Sequence, residues 1–175
     1  MAIVNHVDMG KLEQVMKEGQ ADKSKLKRTQ KIEGEWNLAE GGPQFQATVS
    51  YEGGKTVLAS DQPSNLGGGG TLPGPLHYCF FGLLSCYTAT FATMASMQGI
   101  KLKKLSARVE GDLNFSRVFG LSNDPIMEEI RIVLKAESEA SKEQLKELEK
   151  LAYERCPAVF ALTQNVKLKP TLELG

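Results

Sequence analysis

From Leu76 to Met97 the chain runs 22 residues without one formal charge. A segment of that length and character is at home either in a bilayer or in the interior of a folded domain. His77, Ser85, Thr88, Thr90, Thr93 and Ser96 interrupt it with polar groups, and no second apolar segment accompanies it. The expectation is therefore a core helix packed on a sheet. Pro73 and Pro75 set its start, since proline suits the first helical turn. Gly99 is placed to end it as the residue just past the C-cap.

The remaining composition narrows the class. A chain of 175 residues, 41% of them hydrophobic, can bury one sizeable core. The 21 basic side chains are matched by 21 acidic ones, which argues against a basic nucleic-acid surface and leaves little charge repulsion against self-association. Three cysteines, an odd count, exclude a disulfide-stapled secreted scaffold. The chain opens without a basic segment followed by an apolar one, so no secretory signal is visible. A reducing, cytoplasmic setting is expected.

Residues 1–31 read as a helical extension and basic linker. Leu12, Val15 and Met16 fall at helical spacing behind the N-cap candidate Asp8. Lys23, Lys25, Lys27, Arg28 and Lys31 follow, and with no net basic charge they read as a solvated helix end. Residues 32–60 alternate as an antiparallel meander, with turns at Glu40–Pro43 and Gly53–Gly54. Gly67–Gly70 is a loop whose exit, Thr71-Leu72-Pro73, lacks the Lys and Ser/Thr of a phosphate loop. Beyond the central helix, Leu102–Val109 and Ile130–Leu134 alternate as strands around a loop at Asn114–Asp124 that is expected to be mobile. Ser141 and Gln144 form a capping box before Leu145, Leu148 and Leu151. Cys156-Pro157 breaks that helix, and Val166, Leu168, Thr171 and Leu172 suggest a terminal strand. Strands, long helix, two strands, helix and strand make an α+β domain over 32–175.

The chemistry rests with the thiols. Cys79 and Cys86 share one helix face, within about 20°, but stand roughly 10 Å apart along the axis, too far for a mutual disulfide. Two buried, inert thiols are one reading of that spacing. Cys86 lies roughly 16 Å from the helix start, beyond reach of the macrodipole, so a nucleophilic Cys86 needs a nearby cation. Cys156 is either a redox partner at the start of a new helix or a small residue lining a kink. His6 and His77 with the cysteines show no structural-zinc spacing, so neither a metal nor another cofactor is expected. No GxSxG elbow appears.

Two features together resemble the OsmC/Ohr family of peroxide-handling thiol proteins. One is a Gly-rich loop and Pro75 ahead of an apolar helix carrying Cys86 eleven residues later. The other is an amphipathic helix ending in Glu154-Arg155-Cys156-Pro157-Ala158-Val159. The resemblance spans roughly residues 31–174. It implies an OsmC-like fold, an antiparallel sheet on a long central helix, assembled as an intertwined homodimer. It implies that Cys86 attacks an organic hydroperoxide, that Cys156 resolves the sulfenic acid, and that a dithiol restores the pair, as in an oxidative stress response. The family's catalytic Arg and its partner Glu are missing: no Arg lies between Arg28 and Arg108, and His77 holds the Glu position as a possible accessory group, with Lys55 or Arg28 as other sources of charge.

Two functions follow as expectations. The first is thiol-dependent reduction of organic hydroperoxides by the Cys86/Cys156 pair, with no nucleic acid or membrane as partner. The second is a non-peroxidase dimer whose interface pocket, lined by Tyr78, Phe80, Phe81 and Tyr87, holds a small apolar or thiol ligand. A third, a partner-binding scaffold, treats all three cysteines as core. Cys79, the odd thiol outside the pair, is expected in the core.

Overall fold

The computed structural model describes residues 3–174. They fall into two compact units: residues up to Lys11 together with those from Gly82 onward, and Leu12–Phe81.

The larger unit begins with a tight hairpin of β1 (Ile3–Val4) and β2 (Val7–Asp8). Its turn residues Asn5 and His6 adopt positive φ of 50° and 67°, the paired left-handed conformation of a type I′ turn. Asp8 then caps α1 (Met9–Ala21), its Oδ1 accepting from the N–H groups of Gly10 and Lys11 at 3.0 and 3.1 Å. Asn5 ties the hairpin down. Its amide donates to Ser96 Oγ (3.1 Å) and the Ile100 carbonyl (2.8 Å), and its Oδ1 accepts from Leu102 N–H (2.8 Å).

The centre of this unit is the part of α2 (Pro75–Met97) from Gly82 onward. Leu83, Tyr87, Phe91 and Ala95 recur every fourth residue and are all buried. Helical geometry places them in one stripe. Thr88 and Thr90 remain compatible with an apolar helix because their hydroxyls donate back along it, to the Leu84 carbonyl (2.7 Å) and to that of Cys86 (2.9 Å). By length and composition α2 could cross a membrane; in this fold its stripe forms the core. Gly99 ends the helix at φ 70°, a conformation that costs a side-chain-bearing residue energy.

Two strands, β6 (Leu102–Glu110) and β7 (Arg131–Ser138), pair antiparallel and alternate so that Leu105, Val109, Ile132, Leu134 and Ala136 pack against the stripe. Helix α3 (Lys142–Arg155) opens with the Ser141/Gln144 capping box, both reciprocal bonds present. Leu148, Ala152 and Cys156, four residues apart, oppose α2 and are all 0% exposed. Cys156 both ends α3 and precedes α4 (Pro157–Thr163), with Pro157 in its first turn.

The smaller unit carries the meander β3 (Glu33–Trp36), β4 (Phe45–Tyr51) and β5 (Gly54–Ser60), in that spatial order. Gly34 is required there: a side chain at that point would strike the Phe45 ring and the Gln46 carbonyl. Asp61, 3% exposed, organises the Gly-rich loop. Its carboxylate accepts from Gly69 N–H, Thr71 N–H and the Thr71 hydroxyl at 3.2, 3.1 and 3.0 Å.

Two expectations require correction. Residues 165–174 are irregular, not a strand; alternation becomes a strand only where a neighbouring edge offers a ladder, and among the described residues the one backbone bond there joins Val166 N–H to the Gln164 carbonyl. Cys79 is exposed, not core. Heptad spacing fixes its angle on the helix but not whether anything covers that turn.

Candidate functional site

Three local devices position the thiols. The α2 stripe is seated by its four-residue spacing, which sets Cys86 beside buried Tyr87. The capping box fixes where α3 starts. Pro157, having no N–H to continue the ladder and clashing with a preceding helical turn, stops α3 at Cys156. The Cys156 N–H still closes the last turn on the Ala152 carbonyl at 3.0 Å, while its own carbonyl accepts from Phe160 N–H at 2.9 Å. The residue is thus held by backbone on both sides.

As a result Cys156 Sγ stands 3.6 Å from Cys86 Sγ, across 70 residues of chain. A disulfide at about 2.05 Å requires the sulfurs to close by roughly 1.5 Å, from the 3.6 Å seen here, a movement within side-chain rotation. All three cysteines are free thiols. Cys156 is fully buried and Cys86 only partly, so of the two sulfur-bearing residues Cys86 is the one that meets solvent.

Burial pushes the Cys86 thiol above its ordinary value. The backbone N–H of Ala158, just past the Cys-Pro break, hydrogen-bonds its sulfur and pulls the other way. Cys156 raises it further, through their hydrogen bond and because a second thiolate at contact distance repels the first. Beside them the Tyr87 phenol is pushed up to about 12, by burial first and then by the Glu149 charge, so it stays protonated at neutral pH.

The other expected residues take separate places. His77 is exposed in the first turn of α2, and its Nδ1 accepts from the Gly74 N–H at 3.1 Å. It thereby performs the N3-to-N-cap half of a capping box, a task usually given to Glu or Gln. The Tyr78 hydroxyl is spent on the Ala59 carbonyl at 2.6 Å, and Phe81 is exposed. Arg28 turns its guanidinium onto the carbonyls of Lys25 and Lys27, and Lys55 is exposed on β5. Arg155, passed over in the sequence, adjoins Cys156 and donates to Met94 Sδ at 3.6 Å, bringing a cation onto α2. Its position next to the Cys-Pro motif was the available signal.

The larger unit is thus an α+β unit in which a long apolar helix brings one cysteine against a second at a helix–proline break. Comparison with known proteins names the family. Residues 68–171, well over half of the chain, match the family model of OsmC-like proteins, and the chain belongs to that family. No curated protein is similar enough in sequence to match. Among solved structures, the chain is similar to an OsmC-like protein from Mycoplasma pneumoniae (24% identity, TM-score 0.56, covering 77% of this chain and 87% of that one). It is similar also to an organic hydroperoxide resistance protein OsmC from Legionella pneumophila (22%, TM-score 0.55, covering 82% and 96%). A third is an organic hydroperoxide resistance protein from Elizabethkingia anophelis (17%, TM-score 0.54, covering 79% and 92%). At these identities the likeness establishes the OsmC-like fold.

Proposed function

We propose that this protein reduces organic hydroperoxides through Cys86 and Cys156, as a homodimer in the reducing cytoplasm. The observation that carries the reading is the 3.6 Å separation of the two sulfurs, one partly exposed and one buried. The substrate class is taken from the names of the Legionella and Elizabethkingia proteins.

The chemistry balances over three steps. The Cys86 thiolate attacks the terminal peroxide oxygen, the O–O bond breaks, and the alcohol leaves with a proton, leaving Cys86 as a sulfenic acid. The Cys156 thiolate attacks that sulfur, the S–O bond breaks, water leaves, and a disulfide forms. A dithiol reductant then supplies two electrons and two protons to restore both thiols. The exposed apolar residues Trp36, Val57 and Phe81 support assembly with a second copy.

Consumption of cumene hydroperoxide with dihydrolipoamide as reductant tests the proposal. Native protein should turn over, and Cys86→Ser should fall to the rate of the free dithiol. Equal rates for the two proteins would sink it. Peptide mapping after one equivalent of peroxide should find a Cys86–Cys156 disulfide.

The upward shift of Cys86 and the arginine-free stretch from Thr29 to Ala107 favour a second reading, a non-peroxidase dimer that binds a small apolar or thiol ligand. It predicts no turnover, no mapped disulfide, and a Cys86 alkylation midpoint above the ordinary thiol value of about 8.5.

A further inference from the structure

A cavity of about 570 Å³ opens between the start of β7 and helices α2, α3 and α4. Its volume falls in the range of small-molecule sites, about 300–1,000 Å³. Leu83, Ile130, Ile132, Val159 and Leu162 make its wall apolar. Cys86 does not line it, so the thiol chemistry leaves it unused.

The charged groups that line this cavity are of one sign. Glu128, Glu129 and Glu149 line it, and no Lys, Arg or His does. Glu129 is engaged by Arg131, but Glu128 and Glu149 form no ion pair among the described residues. The chain as a whole is neutral, with 21 charges of each sign, so this is a local concentration and not a general acidity. Tyr87, 4% exposed, lines the same space. Among the described residues its hydroxyl finds only the Glu149 carbonyl, in a long, weak bond of 3.5 Å against the usual 2.5–3.0 Å. That buried hydroxyl therefore keeps capacity for a partner in the cavity. Tyr87 and Tyr153 also bring aromatic rings, whose faces attract cations.

We propose that this cavity binds an amphiphilic cation, a molecule with one apolar body and one positive charge. The body fills the Leu, Ile and Val wall, and the charge lies toward Glu128 and Glu149. An anion of the same shape would face two unpaired carboxylates, and a neutral one would leave them uncompensated, so charge complementarity selects the cation.

Calorimetric titration of the full-length protein with n-octyltrimethylammonium, 1-octanol and n-octyl sulfate tests this. The cation should bind at one site per chain, about two- to fivefold tighter than octanol, as two exposed carboxylates allow, and the sulfate should not bind. Raising salt should weaken the cation and not the alcohol. Glu128→Gln with Glu149→Gln should bring the cation down to the alcohol's affinity. Leu162→Trp, at an exposed position that tolerates bulk, should fill the cavity and abolish both, with the circular dichroism of the fold unchanged. Sulfate binding as tight as the cation overturns the proposal. So does cation binding that ignores both sets of substitutions, or no saturable binding by folded protein, whether a second copy or nothing closes the cavity.

Discussion

Replacing Leu148 by alanine strikes the core at the point where it holds the thiol pair. Leu148 is 0% exposed and lies on the α3 stripe with Ala152 and Cys156, facing Leu83, Tyr87 and Phe91 of α2. Three carbon atoms are lost from a fully buried site. Their transfer alone is worth about 2 to 3 kcal/mol at roughly 0.8 kcal/mol per methylene-sized group. The space left behind adds to this, because helices anchored by a capping box and by Pro157 collapse only partly, and Leu→Ala changes at such sites total about 3–5 kcal/mol. That is about a fifth or more of the stability of a typical domain. Urea unfolding should therefore show a lower midpoint with an unchanged slope. Leu148→Met, which conserves volume, should cost less than about 1.5 kcal/mol. Because α3 delivers Cys156, Leu148→Ala should also slow peroxide-driven Cys86–Cys156 disulfide formation at temperatures where the variant is still folded. A loss below about 1 kcal/mol, close to the median for ordinary substitutions, would refute the placement of Leu148 at the heart of the core.

Three further outcomes are expected. Cys156→Ala removes two of the influences that raise Cys86, so the pH midpoint of iodoacetamide labelling at Cys86 should fall, measured in a Cys79→Ser background that silences the exposed thiol; a rise would contradict the coupling. Asn5→Ala strips three hydrogen bonds at once and leaves the Leu102 N–H without its partner, a loss of about 1–3 kcal/mol in chemical denaturation. The Thr71 N–H bond holds the Asp61 carboxyl below its ordinary value, against the opposing effect of burial. The folded chain then binds fewer protons there than the unfolded one, so the stabilisation is complete above the unfolded value of about 3.9 and fades as pH falls below it. Asp61→Asn should flatten that part of the acid limb, and an unaltered acid transition would count against the role given to Asp61.

The legible parts of this chain were those whose cause lies within a few residues. Pro75 and Gly99 bound α2, Asp8 caps α1, and Ser141 with Gln144 opens α3, because each supplies or withholds hydrogen bonds to backbone groups one turn away. Alternation placed the meander and β6–β7, since side-chain direction along a strand is fixed by the pleat. The same rule misread residues 165–174, whose alternation has no neighbouring edge to pair with. It also missed the part played by Asn5, whose partners lie more than 90 residues away.

The sequence by itself determined where the helices begin and end, that a proline must stop α3 at Cys156, and that two cysteine motifs stand in the order of the OsmC-like family. Tertiary structure alone decided which thiols meet. Cys86 and Cys156 touch because two four-residue stripes, on α2 and α3, bury each other, and packing of that kind depends on surfaces that local spacing does not specify. It decided equally that Cys79, on nearly the same helix face as Cys86, is left in solvent. Periodicity sets the angle of a side chain about its helix, but only the neighbours assembled around that helix determine whether water reaches it.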